Sequence, residues 1–301
     1  MNMELNDRNT VGSDPRPIGV FDSGIGGLTV LKEIWETLPN ENTIYFGDNG
    51  RTPYGSKSHE TIVKYSLQNM CFLMSQDVKM IVIACNSASA HAYEAVRAQA
   101  KVPVVEVITP GAAQAVETTR TGRIGIIATK ATVNSGIYRA AVEEEAGRLL
   151  RSGRNTKALS QLYVEQVACP LFVSLAEEGW WDSQITRLAA EEYLKDLKQS
   201  RIDTLILGCT HYPLLIRPIA GAIGENTSLI NAGASVAQRV AEVLDSNQLR
   251  NASETTPYHL FYTSDDPQMF ENLAAPFLGG GRPTGTKRAM SEEYSGEEIR
   301  T

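Results

Sequence analysis

The chain has 301 residues, 42% hydrophobic and 21% charged, which suits one large domain or two of roughly 100–150 residues each. Near-average Gly and Pro usage (24 and 13) excludes a collagen-like chain and, for most of its length, disorder. Lys plus Arg number 28 against 35 Asp plus Glu, a net charge of −7, and no basic run exceeds two residues. Nucleic acid, which demands a basic face, is therefore not expected as a partner.

Short aliphatic runs alternate with helical patterns along the chain. Strands are expected at Ile18–Phe21, Thr43–Phe46, Met80–Ala84, Val102–Val107, Ile124–Ala128, Leu159–Leu162, Thr204–Leu207 and Ser228–Ile230. Their near-continuous apolar character suits parallel sheets buried on both faces. Helices are expected at Leu28–Glu36, Glu60–Gln76, Ala88–Gln99, Ser135–Leu149, Trp181–Gln199 and Ala234–Leu244. This alternation defines an α/β fold with right-handed crossovers. Thr109-Pro110-Gly111 and the stretch from Pro213 to Gly224 read as hinges. They divide the chain into a discontinuous first domain (18–109 plus 220–278) and a second domain (110–219). Residues 1–17 and 279–301 lack periodicity and are expected to be disordered tails. No apolar stretch approaches the roughly 18 residues of a membrane helix. The segment before Ile18 also lacks the apolar core of a secretory signal. The expectation is a cytoplasmic protein with no membrane partner.

An internal echo points to the site. Ile81-Val82-Ile83-Ala84-Cys85-Asn86-Ser87 resembles Leu205-Ile206-Leu207-Gly208-Cys209-Thr210-His211, and Ile18–Asp22 resembles Ile124–Ala128. Cys85 and Cys209 each follow a buried strand, at the carboxyl edge where open α/β sheets bind ligands. Amides and a helix N-terminus there lower a thiol pKa. A single such cysteine is as readily a small core residue; two in matched settings favour chemistry. Cys71, among Leu67, Met70 and Leu73, and Cys169, before Pro170, read as structural. With four scattered cysteines no disulfide framework is expected.

Other polar residues gather at the same strand ends. Asp22-Ser23-Gly24-Ile25-Gly26-Gly27 opens a helix but lacks the third glycine of a dinucleotide fingerprint. It fits an ammonium held by Asp22 and a carboxylate held by amides. The loop from Gly47 to Gly55 contributes Asp48, Arg51 and the amides of Tyr54 and Gly55. Arg51 meets either a ligand carboxylate or Asp48. His211 lies two residues past Cys209, within reach to hold it as thiolate. Glu177 and Glu178 read as a solvated helix end, and Lys130 as a surface lysine. Cys-x-His without Cys-x-x-Cys or paired His does not make a metal site.

Two thiols on opposite walls of a cleft suit stereoinversion at Cα, where a base takes a proton from one face and an acid returns one to the other. Asn86, Ser87 and Thr210 would then stabilise the developing negative charge. The glycine loop, the 47–55 loop, Ala84-Cys85-Asn86-Ser87-Ala88-Ser89, Cys169-Pro170-Leu171-Phe172-Val173 with Glu177-Glu178-Gly179, and Leu207-Gly208-Cys209-Thr210-His211-Tyr212-Pro213-Leu214-Leu215 together resemble the bacterial glutamate racemases of the aspartate/glutamate racemase family. The resemblance runs from about Ile18 to Phe277 and implies two pseudosymmetric α/β domains with the site between them. It implies cofactor-independent interconversion of L- and D-glutamate for peptidoglycan, with no metal. Cys85 would serve D-glutamate and Cys209 L-glutamate, assisted by Asp22 and His211. Asp22, Ser23, Tyr54, Gly55, Asn86, Ser87, Thr210 and His211 match substrate-contact positions, and Asp48 and Glu177 match auxiliary acids. The resemblance also implies dimers and, in some members, a peptidoglycan-precursor activator. Two positions depart from its pattern: Ser87 stands where Thr is usual, and Asn231-Ala232-Gly233 where Asp-Ser-Gly is common. The alternatives are a sister aspartate racemase, a non-catalytic member that binds DNA gyrase, and a cysteine hydrolase with one essential thiol.

Overall fold

The computed structural model describes residues 13–154, 156–253, 255–290 and 293. Two parallel sheets organise the chain. The first takes β1 (Ile18–Asp22), β2 (Thr43–Gly47), β3 (Met80–Ile83) and β4 (Val104–Glu106). The second takes β5 (Arg123–Ala128), β6 (Tyr163–Ala168), β7 (Thr204–Gly208) and β8 (Ser228–Ile230). The chain then returns to the first sheet with β9 (His259–Thr263) and β10 (Lys287–Arg288). Spatial order is β10-β9-β2-β1-β3-β4 in one sheet and β6-β5-β7-β8 in the other. Apart from the two added strands the orders correspond. In each, the leading strand sits centrally and pairs with the strand that precedes a cysteine: Phe21 is opposite Ile83, and Ala128 opposite Gly208.

Each strand of the inner pairs β1/β3 and β5/β7 is enclosed, apart from half-buried Arg123, which explains their unbroken apolar runs. Helices cover the faces. In the first sheet's portion these are α1 (Leu28–Thr37), α2 (His59–Ser75) and α3 (Asn86–Gln99). The second portion carries α4 (Ile108–Thr118), α5 (Lys130–Ser135), α6 (Ile137–Arg151), α7 (Thr156–Leu159), α8 (Leu171–Glu177), α9 (Gln184–Gln199) and α10 (Ile216–Ile223). The last two are α11 (Gly233–Ser246) and α12 (Pro267–Ala274). One apolar cluster joins the portions: Leu28, Leu31 and Val236 share it with Ile124, Tyr138 and Ile206.

Several sequence expectations shift. The strand expected at Leu159–Leu162 is the end of α7 and a turn; the strand itself is β6. Glu165 and Gln166 interrupt β6's apolar run, as an edge strand allows. Thr109-Pro110-Gly111 is no hinge loop but the first turn of α4, where proline is tolerated. The Glu106 carboxylate accepts from the Ile108 and Thr109 amides there. Pro213 to Gly224 is likewise a 3₁₀ turn followed by α10. Because β8 pairs with β7, the chain leaves the second sheet after Ile230 rather than near residue 220.

Described parts of both expected tails make specific contacts. Asp14 N donates to Arg250 O at 3.0 Å, and Ala252 N donates to Ser13 Oγ at 2.9 Å. Residues 287–288 pair with β9, and Ala289 N donates to Thr263 O. The remaining tail expectations, at residues 1–12, 291–292 and 294–301, lie outside the described residues. Where Asn231 departs from the family pattern, its Oδ1 still accepts from Gly233 N at 3.2 Å.

A buried ion pair fastens the edge of this fold. Lys79 Nζ lies 2.6 Å from Glu41 and also donates to Asp14 O; both charged side chains are buried. Lys79→Met leaves a buried carboxylate without its partner and should cost about 3 kcal/mol in urea unfolding. Adding Glu41→Gln should recover more than half of that loss, since Gln still accepts from Asn251 N. Equal losses in the single and double variants would assign the effect to packing instead.

Candidate active site

The carboxyl ends of β1, β3 and β7 meet at the loop after β1. Cys85 follows β3 as the N-cap of α3, and its thiol lies 3.6 Å from Ser23 Oγ in the loop after β1. On the other side the loop touches the residues after Cys209. A Cβ on Gly26 would fall 2.2 Å from Thr210 Oγ1 and 2.7 Å from the His211 ring, so only glycine fits. Thr29 Oγ1 reaches Thr210 O at 3.3 Å. Gly27 is equally confined, by Asp22, Ala84 and the Tyr45 hydroxyl. The structure thus sets Asp22, Ser23, Cys85, Cys209, Thr210 and His211 around one short loop.

Cys209 belongs to a relay. Its Sγ is 3.8 Å from His211 Nδ1, and His211 Nε2 is 3.0 Å from Glu177 Oε1 at the end of α8. Burial opposes charge on the imidazole, but Cys209 and Glu177 outweigh it and raise its pKa to about 10. His211 is therefore protonated at neutral pH. Cys85 has the opposite setting. Burial and the Asp22 carboxylate push its thiol up to about 12, against the Ala88 amide and Ser23, so it rests protonated. Asp22 is fully buried. Its Oδ2 accepts from Gly24 N at 2.9 Å, while Oδ1 has no partner among the described residues. Burial raises its carboxyl above the ordinary value, while the His211 charge and the Gly24 and Gly27 amides pull it down.

The Asp48 and Tyr54 side chains are fully buried against one another next to this loop. The Asp48 carboxylate accepts from Arg51 Nε at 2.8 and 2.9 Å, from Ser264 Oγ at 2.8 Å and from the Tyr54 hydroxyl. Arg51 also bonds Gln68 and Asn69 and lies over the Tyr65 ring, which settles its pairing with Asp48. Asp48 N donates to Asp22 O, so this polar cluster supports the loop. Only the backbone of Tyr54 and Gly55 remains for a ligand. A Cβ on Gly55 would lie 2.5 Å from Thr129 Cβ, a second contact between the halves. Ser87 Oγ makes a third, 3.0 Å from Thr129 Oγ1 and 3.3 Å from Thr132 Oγ1.

Sequence reading misses Tyr45 and Tyr138. Tyr45 donates to Gly24 O at 2.8 Å, bracing the loop. Tyr138, two residues past the α5–α6 glycine, donates to Asn86 Oδ1 at 2.6 Å across the two halves. No polar pattern marks either one; an aromatic just after Gly136 is the only available signal. Cys71 and Cys169 are buried, and Cys169 O accepts from Tyr212. Lys130 is exposed at the start of α5. Among the described residues no three His, Cys, Asp or Glu side chains group as metal ligands.

Known proteins share this fold and much of its sequence. The Asp/Glu/Hydantoin racemase family profile matches residues 18–240. Glutamate racemase of Geobacter metallireducens is 46% identical over 265 residues, 88% of this chain and 93% of that one. The glutamate racemase of Francisella tularensis in complex with D-glutamate superposes with a TM-score of 0.83 at 39% identity, covering 93% of this chain and all of that one. The Escherichia coli glutamate racemase bound to L-glutamate and the activator UDP-MurNAc-Ala gives 0.70 at 28% identity, covering 91% and 98%. The chain is thus an isomerase acting as an amino-acid racemase. It belongs to the Asp/Glu/Hydantoin racemase family.

Two measurements probe this geometry. Glu177→Gln removes one of the anions holding the His211 proton, so the imidazole pKa should fall from about 10 toward 6.5, read from ring-proton NMR shifts. Gly26→Ala should reduce turnover by roughly 100-fold or more, since a displaced reacting group costs about that much, with unchanged far-UV circular dichroism. Normal turnover in this variant would show that the halves separate at this point.

Proposed function

We propose that the chain interconverts L- and D-glutamate by a two-base mechanism, with Cys85 and Cys209 facing opposite sides of the substrate Cα. The observation that carries this is one loop that meets Cys85 through Ser23 and the two residues following Cys209 through Gly26, and that holds a buried carboxylate oxygen with no partner among the described residues. Asp22 receives the substrate ammonium. The amides of Ser23, Tyr54 and Gly55, with the side chains of Asn86, Ser87 and Thr210, receive the carboxylates. Charge building on the α-carboxylate as Cα–H breaks is met by the backbone amides and the hydroxyls among these donors.

In the L-to-D direction the Cys209 thiolate, supported by protonated His211, takes the Cα proton. The Cys85 thiol then gives its proton to the opposite face, leaving Cys85 as thiolate and Cys209 as thiol. The reverse direction starts from that second state: the Cys85 thiolate takes the Cα proton of D-glutamate and the Cys209 thiol returns one to the opposite face. Where Cys85 rests protonated, Asp22 beside it is the carboxylate that can take the thiol proton. The resting protonation of Cys85 and His211 supports this assignment. No cofactor takes part in these steps. The product supplies D-glutamate for peptidoglycan in the cytoplasm; among the described residues no helix is long and apolar enough to cross a membrane. A homodimer and a peptidoglycan-precursor activator complete the reading, the latter supported by the E. coli relative's complex.

Incubation with each glutamate enantiomer in D₂O, without cofactor, should carry deuterium into Cα while optical rotation decays to zero from either side. Aspartate should remain unchanged; racemisation of aspartate alone would replace the substrate. Cys85→Ala and Cys209→Ala should each lower racemisation by roughly 10³-fold or more, the scale of a lost acid–base group. Near-normal turnover in either variant would overturn the two-base scheme. Activity should survive dialysis against a chelator, and recovery only on metal addition would contradict the cofactor-free scheme.

A further inference from the structure

Tyr138 is the one side chain described above that touches both cysteine motifs. It is the second residue of α6, turned inward by Gly136, whose positive φ of 68° ends α5. The ring is fully enclosed. Gly208, just before Cys209, makes room for the ring, since a Cβ there would lie 3.1 Å from Tyr138 Cε2, and Gly111 lies beside the hydroxyl, where a Cβ would be 3.6 Å away. From there the hydroxyl crosses to the first half and meets Asn86 Oδ1 at 2.6 Å, one residue past Cys85.

The direction of that bond has a consequence. Burial, with Glu106 and Cys209 nearby, holds the phenol well above its ordinary pKa, so it remains a neutral donor. An amide oxygen only accepts, while an amide nitrogen only donates. Occupying Oδ1 therefore fixes which end of the Asn86 amide is left over. Among the described residues no protein acceptor meets Nδ2.

We infer that Tyr138 is a positioning residue that locks the Asn86 amide with Nδ2 toward the substrate, as a donor to a substrate carboxylate oxygen. Without the hydroxyl the amide turns freely and can present its oxygen, which repels a carboxylate. This inference rests on the reading of Asn86 as a substrate contact. Because the carboxylate is common to both enantiomers, the effect belongs to binding of either one, unlike the roles of the cysteines.

The test is a double-mutant cycle on the full chain, using Tyr138→Phe, Asn86→Ala and the pair, with steady-state kinetics on L- and D-glutamate. Tyr138→Phe keeps the ring in its slot; its melting temperature serves as the check on folding. Tyr138→Phe should raise KM for both enantiomers about tenfold, as for a lost directing hydrogen bond, with kcat within threefold. Asn86→Ala should raise KM similarly, and the double variant should be no worse than Asn86→Ala within twofold. An unchanged KM in Tyr138→Phe with an impaired Asn86→Ala overturns the role of Tyr138 alone. Losses that multiply in the double variant also overturn it, since Tyr138 then acts through packing. An unchanged KM in Asn86→Ala refutes the substrate contact itself, and the inference with it.

Discussion

The site depends on one close approach between main chain and side chain. The loop leaving β1 presses against Thr210 and His211, which come from the other sheet, at a spacing that admits no Cβ at Gly26. Two parallel sheets can each gather polar groups at their carboxyl edges, but those edges form one site only if they meet. Here they meet on backbone. Ser23 turns one way to Cys85, while Gly26 accepts the other cysteine's neighbours. The polar cluster around Asp48 holds the loop, and Tyr45 holds it through Gly24 O.

Around that contact, one residue type is given two different chemical characters. Cys85 is desolvated beside an anionic Asp22, and both effects keep its proton in place. Cys209 instead faces a cationic ring whose charge is secured by Glu177. The difference comes from neighbours rather than from the cysteines. In the proposed two-base scheme, this difference in surroundings is what lets one cysteine serve as the acid while the other serves as the base.

Much of this was legible in the sequence because it was written in backbone chemistry. Strands enclosed on both faces appear as unbroken aliphatic runs, so β1, β3, β5 and β7 were readable along with the cysteines that follow them. The echo between the two cysteine motifs corresponds to the shared strand order of the two sheets. Edge strands β4 and β8 were readable as well, but β6, β9 and β10 were not: β6 carries Glu165 and Gln166, and β9 and β10 gain their identity from pairing with distant residues. The first turn of α4 looked like a hinge because Pro110 and Gly111 are loop-forming types, whereas the cap that makes it helical is the side chain of Glu106. Tyr138 escaped for a related reason. Its meaning lies in a hydrogen bond to a residue 52 positions away, and nothing local records that.

The return of the chain to the first sheet bears on the order of assembly during synthesis. The second sheet is contiguous, and all four of its strands have left the ribosome once Ile230 is clear of the exit tunnel. The first sheet began earlier, yet β2 stays without its outer neighbour until β9 emerges at residues 259–263. Vectorial synthesis ordinarily favours the amino-terminal unit. Here the inserted unit has all four of its strands available first, while the nascent first sheet still lacks the two strands that pair beyond β2.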